Sequence, residues 1–409
     1  MVAELERELE TNPLLDNLRP RQTGALVVSL KPGVGVGQTL DVVKNLGGAG
    51  IAVRAAGENA GDPAPADGQV LFYEDLMTAF IDPPSPKAGS NMMMALNALD
   101  ETVEVRPEVY LFSLQEFRDT AEATWGTGAV HALDSPYTGK DIKIAILDTG
   151  IDANHPDFVG RAIVTKSFVE GEGAEDGQGH GTHCAGTACG KGRTPGIQRY
   201  GVAEDATLYV GKVLNNAGYG AERYILDGMR WAVAEGCEII SMSLGSPVQP
   251  GQPYNTLYER IASAALENGT LILAAAGNDA NRSFGVIAPV GSPANAPSIL
   301  AVGAVDPLYK PCYFSNGGIN PGGGEIDLVA PGAGIFSSVP RPQLYKTLDG
   351  TSMACPHVAG VAALWAESDP ALRGRALWDV LVKNARPLPY NVRDVGAGLA
   401  SAPKKVEMV

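Results

Sequence analysis

Apolar and polar residues follow two different rhythms along this chain, and the change falls near residue 118. From Gly24 the pattern reads strand (ALVVSL, 25–30), Gly-rich turn, helix (QTLDVVKNL, 38–46) and strand (IAVRAA, 51–56). After the Pro/Gly/Asp-rich stretch 58–68 come a strand (LMTAFIDP, 76–83), a helix (NMMMALNAL, 91–99) and a strand (VEVRPEVYLFSL, 103–114). Two βαβ units in roughly a hundred residues predict a small α+β sandwich of the ferredoxin-like type.

From Lys143 the runs become almost continuously apolar: IAILDTG, ATLYVGKVL, CEIISMSLG, TLILAAAGN and SILAVGAV. Helical stretches such as ERYILDGMRWAVAEG (222–236) and NTLYERIASAALENG (255–269) separate several of them. Apolar strands alternating with helices predict an α/β domain whose mainly parallel sheet is covered on both faces. In such sheets functional groups collect beyond the carboxyl ends of the strands, where IAILDTG and LILAAAGN place their polar residues. The expected division is a polar arm (1–20), the small domain (21–117), the α/β domain (118–395) and a tail (396–409).

Composition narrows the partners. The 409 residues carry a net charge of −15, which disfavours nucleic acid and anionic membranes. No apolar run approaches a membrane span, and the N-terminus MVAELERELE lacks the apolar core of a secretion signal. A cytoplasmic protein is expected, with Cys184, Cys189, Cys237, Cys312 and Cys355 as reduced, buried thiols, their odd number and irregular spacing disfavouring a disulfide framework.

Two motifs mislead. KPGVGVGQT invites a phosphate-binding reading, but Gln38 stands where a dinucleotide fingerprint needs Gly and where a P-loop needs Lys. HGTH sets His180 and His183 near one another, yet no Glu lies between them and no third ligand follows at zinc spacing. The acidic run Glu170–Gln178 reads as a solvated loop before it reads as a calcium site.

The chemistry is distributed. A hydroxyl nucleophile needs a base, an acid to orient that base, and donors for an oxyanion. Asp148 ends an apolar strand, where a carboxylate is costly without a partner. His180 lies among small residues in GQGHGTHCAG, and Asn278 closes LILAAAGN. Ser352 opens the apolar helix of GTSMACPHVAGVAALW, where the helix dipole favours negative charge. Singly, each is equally well a cap, a turn residue or a satisfied polar group. Within DGTSMACPH, His357 lies about 140° around the helix from Ser352, too far to serve as its base. Cys355 reads as a packed thiol, whereas Cys184 follows His180 closely.

Taken together, AILDTGIDANHPDF, GHGTHCAG and GTSMACPHVAG resemble the three catalytic blocks of subtilisin-type (S8) serine peptidases, the proteinase K-like branch above all. YGVAEDATLYVGKVL, SMSLGS, AAAGN, PSILAVGAV and LVAPG extend the resemblance over about residues 118–395. It implies that Asp148 orients His180, that His180 is base then acid, and that Ser352 is acylated, with Asn278 and the Ser352 amide as oxyanion hole. It implies that Gly218, Tyr219, Gly220 and Ser243, Leu244, Gly245 sandwich an extended protein or peptide substrate as an added strand. Ala275, Ala276 and Gly277, with Gly291 at the base, would line an S1 pocket. Small residues without an acidic neighbour there predict large apolar or aromatic P1 residues. The first hundred residues resemble the family's I9-type propeptide, implying an intramolecular inhibitor and a candidate autoprocessing bond at Phe117–Arg118. No cofactor is implied for the chemistry. A structural calcium is possible, with Asp157 as the one matching ligand, while the loop NGGINPGGGE (316–325) looks longer than the family's and has no assigned role. Two other readings share these motifs: a processing peptidase or transpeptidase for one partner, and an inactive binding protein of the same fold.

Overall fold

The computed structural model describes residues 22–33, 51–54, 70–73, 76–109, 117–192 and 194–404. Contacts divide the chain into two compact units, Pro20–Phe112 and a larger one from Ser113 onward.

The smaller unit is built on strands β1 (Gln22–Leu30), β2 (Ile51–Arg54), β3 (Val70–Tyr73), β4 (Thr78–Ile81) and β5 (Thr102–Val109), with helix α1 (Pro86–Asn97) between the last two. The sheet runs β2-β3-β4-β1-β5, antiparallel except for the β2–β3 pair. Strand β3 was not anticipated from the sequence: VLFY follows a Pro/Gly-rich stretch and is too short to show an alternation. Ser85 caps α1 by accepting from the Ala88 amide at 3.2 Å, and Met92 and Leu96, one turn apart, join Val28, Phe72 and Ile81 in a core of their own. The arm 1–20 and the helix expected over 38–46 lie outside the described residues.

In the larger unit a short helix α2 (Trp125–Ala129) precedes β6 (Lys143–Asp148), β7 (Ile163–Ser167), α3 (His180–Cys189), β8 (Thr207–Lys212) and α4 (Glu222–Ala234). There follow β9 (Ile239–Met242), α5 (Thr256–Glu267), β10 (Leu271–Ala275), β11 (Leu300–Val305) and β12 (Leu328–Pro331). A hairpin of β13 (Ile335–Ser338) and β14 (Tyr345–Leu348) leads into α6 (Thr351–Ser368), α7 (Gly374–Lys383) and α8 (Val392–Val395). The seven strands β6–β12 form one parallel sheet ordered β12-β11-β10-β9-β6-β8-β7, as the unbroken apolar runs predict.

Beyond β6 the chain adds β7 and β8 on one side, then β9 to β12 on the other. Such a reversal leaves a crevice beyond the carboxyl ends of the central strands. Asp148 ends β6, and Ser243 follows β9. Helix α6 is buried almost all round, which is why its sequence is apolar without a polar stripe. The boundary expected at 395 falls inside a packed segment. Leu399, Ala400 and Ala402 are buried, Ala400 donates to the Val329 carbonyl at 2.9 Å, and Ala402 to Val130 at 2.9 Å. No helix among the described residues is long and apolar enough to cross a membrane.

Candidate active site

Asp148 is fully buried at the end of β6, and its carboxylate faces His180 at the start of α3. His180 Nδ1 lies 2.8 Å from Asp148 Oδ1 and 3.0 Å from Oδ2. The Asp148 carboxylate can only accept, so Nδ1 carries the proton and Nε2 is left as the basic nitrogen. Burial disfavours the charged imidazolium, but the adjacent carboxylate outweighs it and holds His180 well above the usual histidine range.

Two buried groups fix this pair. Asp176 accepts through Oδ1 from the Thr149 hydroxyl (2.8 Å) and the Gly179 amide (2.7 Å), and through Oδ2 from the Thr182 amide (2.8 Å) and hydroxyl (2.7 Å). Thr149 in turn accepts from the Gly181 amide at 2.8 Å, so the end of β6 and the first turn of α3 are tied through one carboxylate. Glycine is required at 181, since a Cβ there would meet the Gly150 carbonyl at 2.3 Å. Lys212, in register with Asp148, is fully buried; it donates to Asn216 Oδ1 at 2.8 Å and to the Thr149 carbonyl, and pairs with Glu172 at 3.2 Å. The run 170–178, expected as solvated loop, therefore contains two working carboxylates, Glu172 and Asp176. Glu172 is paired by Lys212 far along the chain, whereas Asp176 is held by Thr149 before it and by Gly179 and Thr182 just after it.

Ser352 lies in the first turn of α6, where its amide has no intrahelical acceptor. Pro356 sits four residues on and lacks the N–H that would bond the Ser352 carbonyl. That carbonyl instead accepts from Ser243 Oγ at 2.7 Å and Cys184 Sγ at 3.5 Å. Ser352 Oγ returns a bond to the Ser243 carbonyl at 3.3 Å, and no hydrogen bond joins it to His180. Asn278 Oδ1 accepts from the Thr351 amide (2.9 Å) and hydroxyl (3.0 Å). An amide N–H can only donate, so the oxygen must face Thr351, and the Asn278 NH₂ is turned away from it.

His180, Ser352 and Asn278 line one cleft of about 820 Å³ together with Gly218, Tyr219 and Gly220 on one stretch and Ser243, Leu244 and Gly245 on another. Ala275, Gly277 and Gly291 line it too. Ala276 does not: it is fully buried, and its carbonyl accepts from the Gly291 amide at 2.9 Å. Asp279, one residue beyond Asn278, lines the same cleft. Phe117 packs at a tilt against Tyr309 with ring centroids 5.1 Å apart, and its amide donates to the Pro307 carbonyl at 3.2 Å; neither it nor the exposed Arg118 lines the cleft.

Asp157 does not fit a calcium ligand. It is buried, and its Oδ2 receives the Tyr200 hydroxyl at 2.6 Å and the Tyr345 hydroxyl at 2.9 Å. His183 Nε2 donates to the Ile335 and Lys346 carbonyls at 3.1 Å each, and burial lowers its pKa to about 3. His357 is buried with Nδ1 on the Met353 carbonyl at 2.8 Å. Cys355 is buried with Sγ 3.5 Å from Ser241 Oγ, and all five cysteines are free. Cys184 Sγ lies 3.8 Å from His180 Nδ1, and burial raises its pKa, which keeps it a thiol.

A model described as the subtilase family matches residues 139–399. The chain is similar to subtilisin E of Bacillus subtilis (strain 168), 39% identical over 249 residues that span 61% of this chain and 61% of that protein. It is also similar to M-protease of Shouchella clausii (strain KSM-K16), 37% identical over 308 residues, 74% of this chain and 75% of that protein. Among solved structures, sphericase superposes with a TM-score of 0.59 at 32% identity, covering 68% of this chain and 98% of that one. The chain belongs to the subtilase family.

Proposed function

We propose that this protein is a serine endopeptidase working through an acyl-enzyme. The observation that carries the reading is the oriented pair of Asp148 and His180 opening onto the cleft that also holds Ser352 and Asn278. His180 Nε2 takes the Ser352 proton as Oγ attacks the scissile carbonyl. The oxyanion that forms is received by the Asn278 NH₂ and the Ser352 amide. His180 then gives its proton to the leaving amine, and water repeats the sequence to release the acyl group. The chemistry draws on protein groups alone.

An extended peptide lies between residues 218–220 and 243–245 as an added strand. The S1 pocket beside Ala275, Gly277 and Gly291 takes large apolar or aromatic P1 residues. The smaller unit acts as intramolecular inhibitor in a precursor of the proteinase K-like, I9-propeptide kind. Cleavage at Phe117–Arg118 requires the Phe117–Tyr309 packing to open. Five buried free thiols support a reducing, cytoplasmic setting.

A fluorophosphonate probe and casein hydrolysis, compared for the chain and its Ser352→Ala variant by intact mass, test the reading. Labelling, hydrolysis and a cut near 117 are expected only when Ser352 is present. A Ser352 that stays unlabelled after the smaller unit has been cleaved off would remove the proposal.

A further inference from the structure

The loop Asn316–Glu325 takes no part in the chemistry above, yet its two asparagines are both buried and each braces a different segment of the cleft. Asn316 Oδ1 accepts from the amides of Asp279 (2.8 Å) and Ala280 (3.0 Å), and its Nδ2 donates to the carbonyls of Pro289 (2.9 Å) and Ala276 (3.3 Å). These bonds hold the strand end that carries Asn278. Asn320 treats the segment 249–252 in the same way. Its Oδ1 accepts from the Gly251 amide at 2.7 Å, and its Nδ2 donates to the carbonyls of Gln249 (3.2 Å) and Gln252 (3.3 Å).

That segment is part of the cleft wall, because Val248, Gln252 and Pro253 line the cleft alongside Leu244 and Gly245. Its internal bonds are few: the Gln252 amide to the Gln249 carbonyl (2.9 Å) and the Gln249 amide to Gln252 Oε1 (2.9 Å). Among the described residues, the hydrogen bonds that reach 249–252 from elsewhere in the chain all come from Asn320. The loop is itself set firmly against this wall. Gly322, Gly323 and Gly324 have φ of +80°, +121° and +89°, a run of backbone open only to glycine, and a Cβ on Gly323 would come within 3.1 Å of the Tyr254 ring.

We propose that Asn320 is a positioning residue for extended substrates: it fixes the wall 248–253 that peptide residues remote from the scissile bond would touch. The proposal rests on the peptidase reading. Two substrates with the same aromatic P1 separate the roles, a single blocked residue on a chromogenic leaving group and a peptide long enough to fill the cleft. With active sites titrated by fluorophosphonate, Asn320→Ala should cut kcat/KM on the long peptide about tenfold, through KM. On the short substrate it should stay within about twofold. Asn320→Asp, which keeps the bond from Gly251 and loses the two donors, should fall between. Asn316→Ala should lower kcat on both substrates. Equal losses on both for the Asn320 variants, or an unchanged long peptide, would overturn the proposal while leaving the peptidase reading intact. No turnover of either substrate by the unaltered chain, with Ser352 unlabelled, would take both down.

Discussion

His180 and His183 stand three residues apart on α3 and are driven in opposite directions. Burial acts against charge on both, but only His180 has the Asp148 carboxylate to overcome it. A base must be neutral to accept the serine proton, so kcat/KM should rise with pH along an acid limb above the usual histidine value of 6.5. A pH profile on a small substrate checks this; a limb at or below that value would contradict the pairing. Asn278→Ala should lower kcat by about 10²–10³, the loss known for subtilisin's own oxyanion asparagine and carried over to this chain, with KM little changed. Single-turnover kinetics would show it in acylation. These residues were legible in the sequence because each is a polar group at the edge of an apolar or glycine-rich run. Asp176 and Asn316 were not, since both sit in polar stretches; Asn316 is buried by partners distant in the chain, and Asp176 by Thr149 together with the nearby Gly179 and Thr182.

Elements position the chemistry through their ends. Strand β6 delivers Asp148, β9 leads to Ser243, β10 leads to Asn278, and the helices α3 and α6 deliver His180 and Ser352. Period and composition were enough to predict this alternation of strands and helices. The joints between them were not predictable, because they are made by single side chains. Asp176 is the clearest joint. Asp176→Ala would strand the Thr149 and Thr182 hydroxyls and the Gly179 amide inside the protein, at a cost of at least about 3 kcal/mol. Denaturant unfolding should show a lower midpoint, and the remaining folded enzyme should show a lower kcat, because the β6–α3 tie also sets the His180 geometry. A variant of unaltered stability and rate would remove Asp176 from this role. Pro356 has a comparable effect within one helix: by withholding an N–H it frees the Ser352 carbonyl, and Ser243 and Cys184 then hold that carbonyl from two other segments.

The whole molecule is expected to tolerate acid poorly, for a reason separate from catalysis. Burial lowers His183 to about 3 and His357 to about 4, against 6.5 when exposed. Between those values the unfolded chain binds protons that the folded one refuses, so stability falls as pH drops below 6.5. The raised His180 contributes in the opposite sense, but its contribution is complete below 6.5 and fades only at higher pH. Buried Asp327, its pKa raised to about 7, gains stability as pH falls and offsets roughly one of the two histidines. Melting temperature measured from pH 7 to pH 4 should decline, and His357→Gln should make that decline shallower. A flat profile would mean these imidazoles are protonated in place.

The packed residues after α8 have a consequence for how the chain behaves among its own copies. A parallel sheet has two outer strands, each an invitation to another strand. On one side, β12 is closed by the returning chain, since Val329 pairs with Leu399 and receives the amide of Ala400. On the other, β7 is short and presents Thr165 and Lys166 outward, a poor template for addition. Removal of the last dozen or so residues of the fold would uncover β12, whose residues are wholly apolar, and the trimmed protein should then associate edge to edge before it loses its helices.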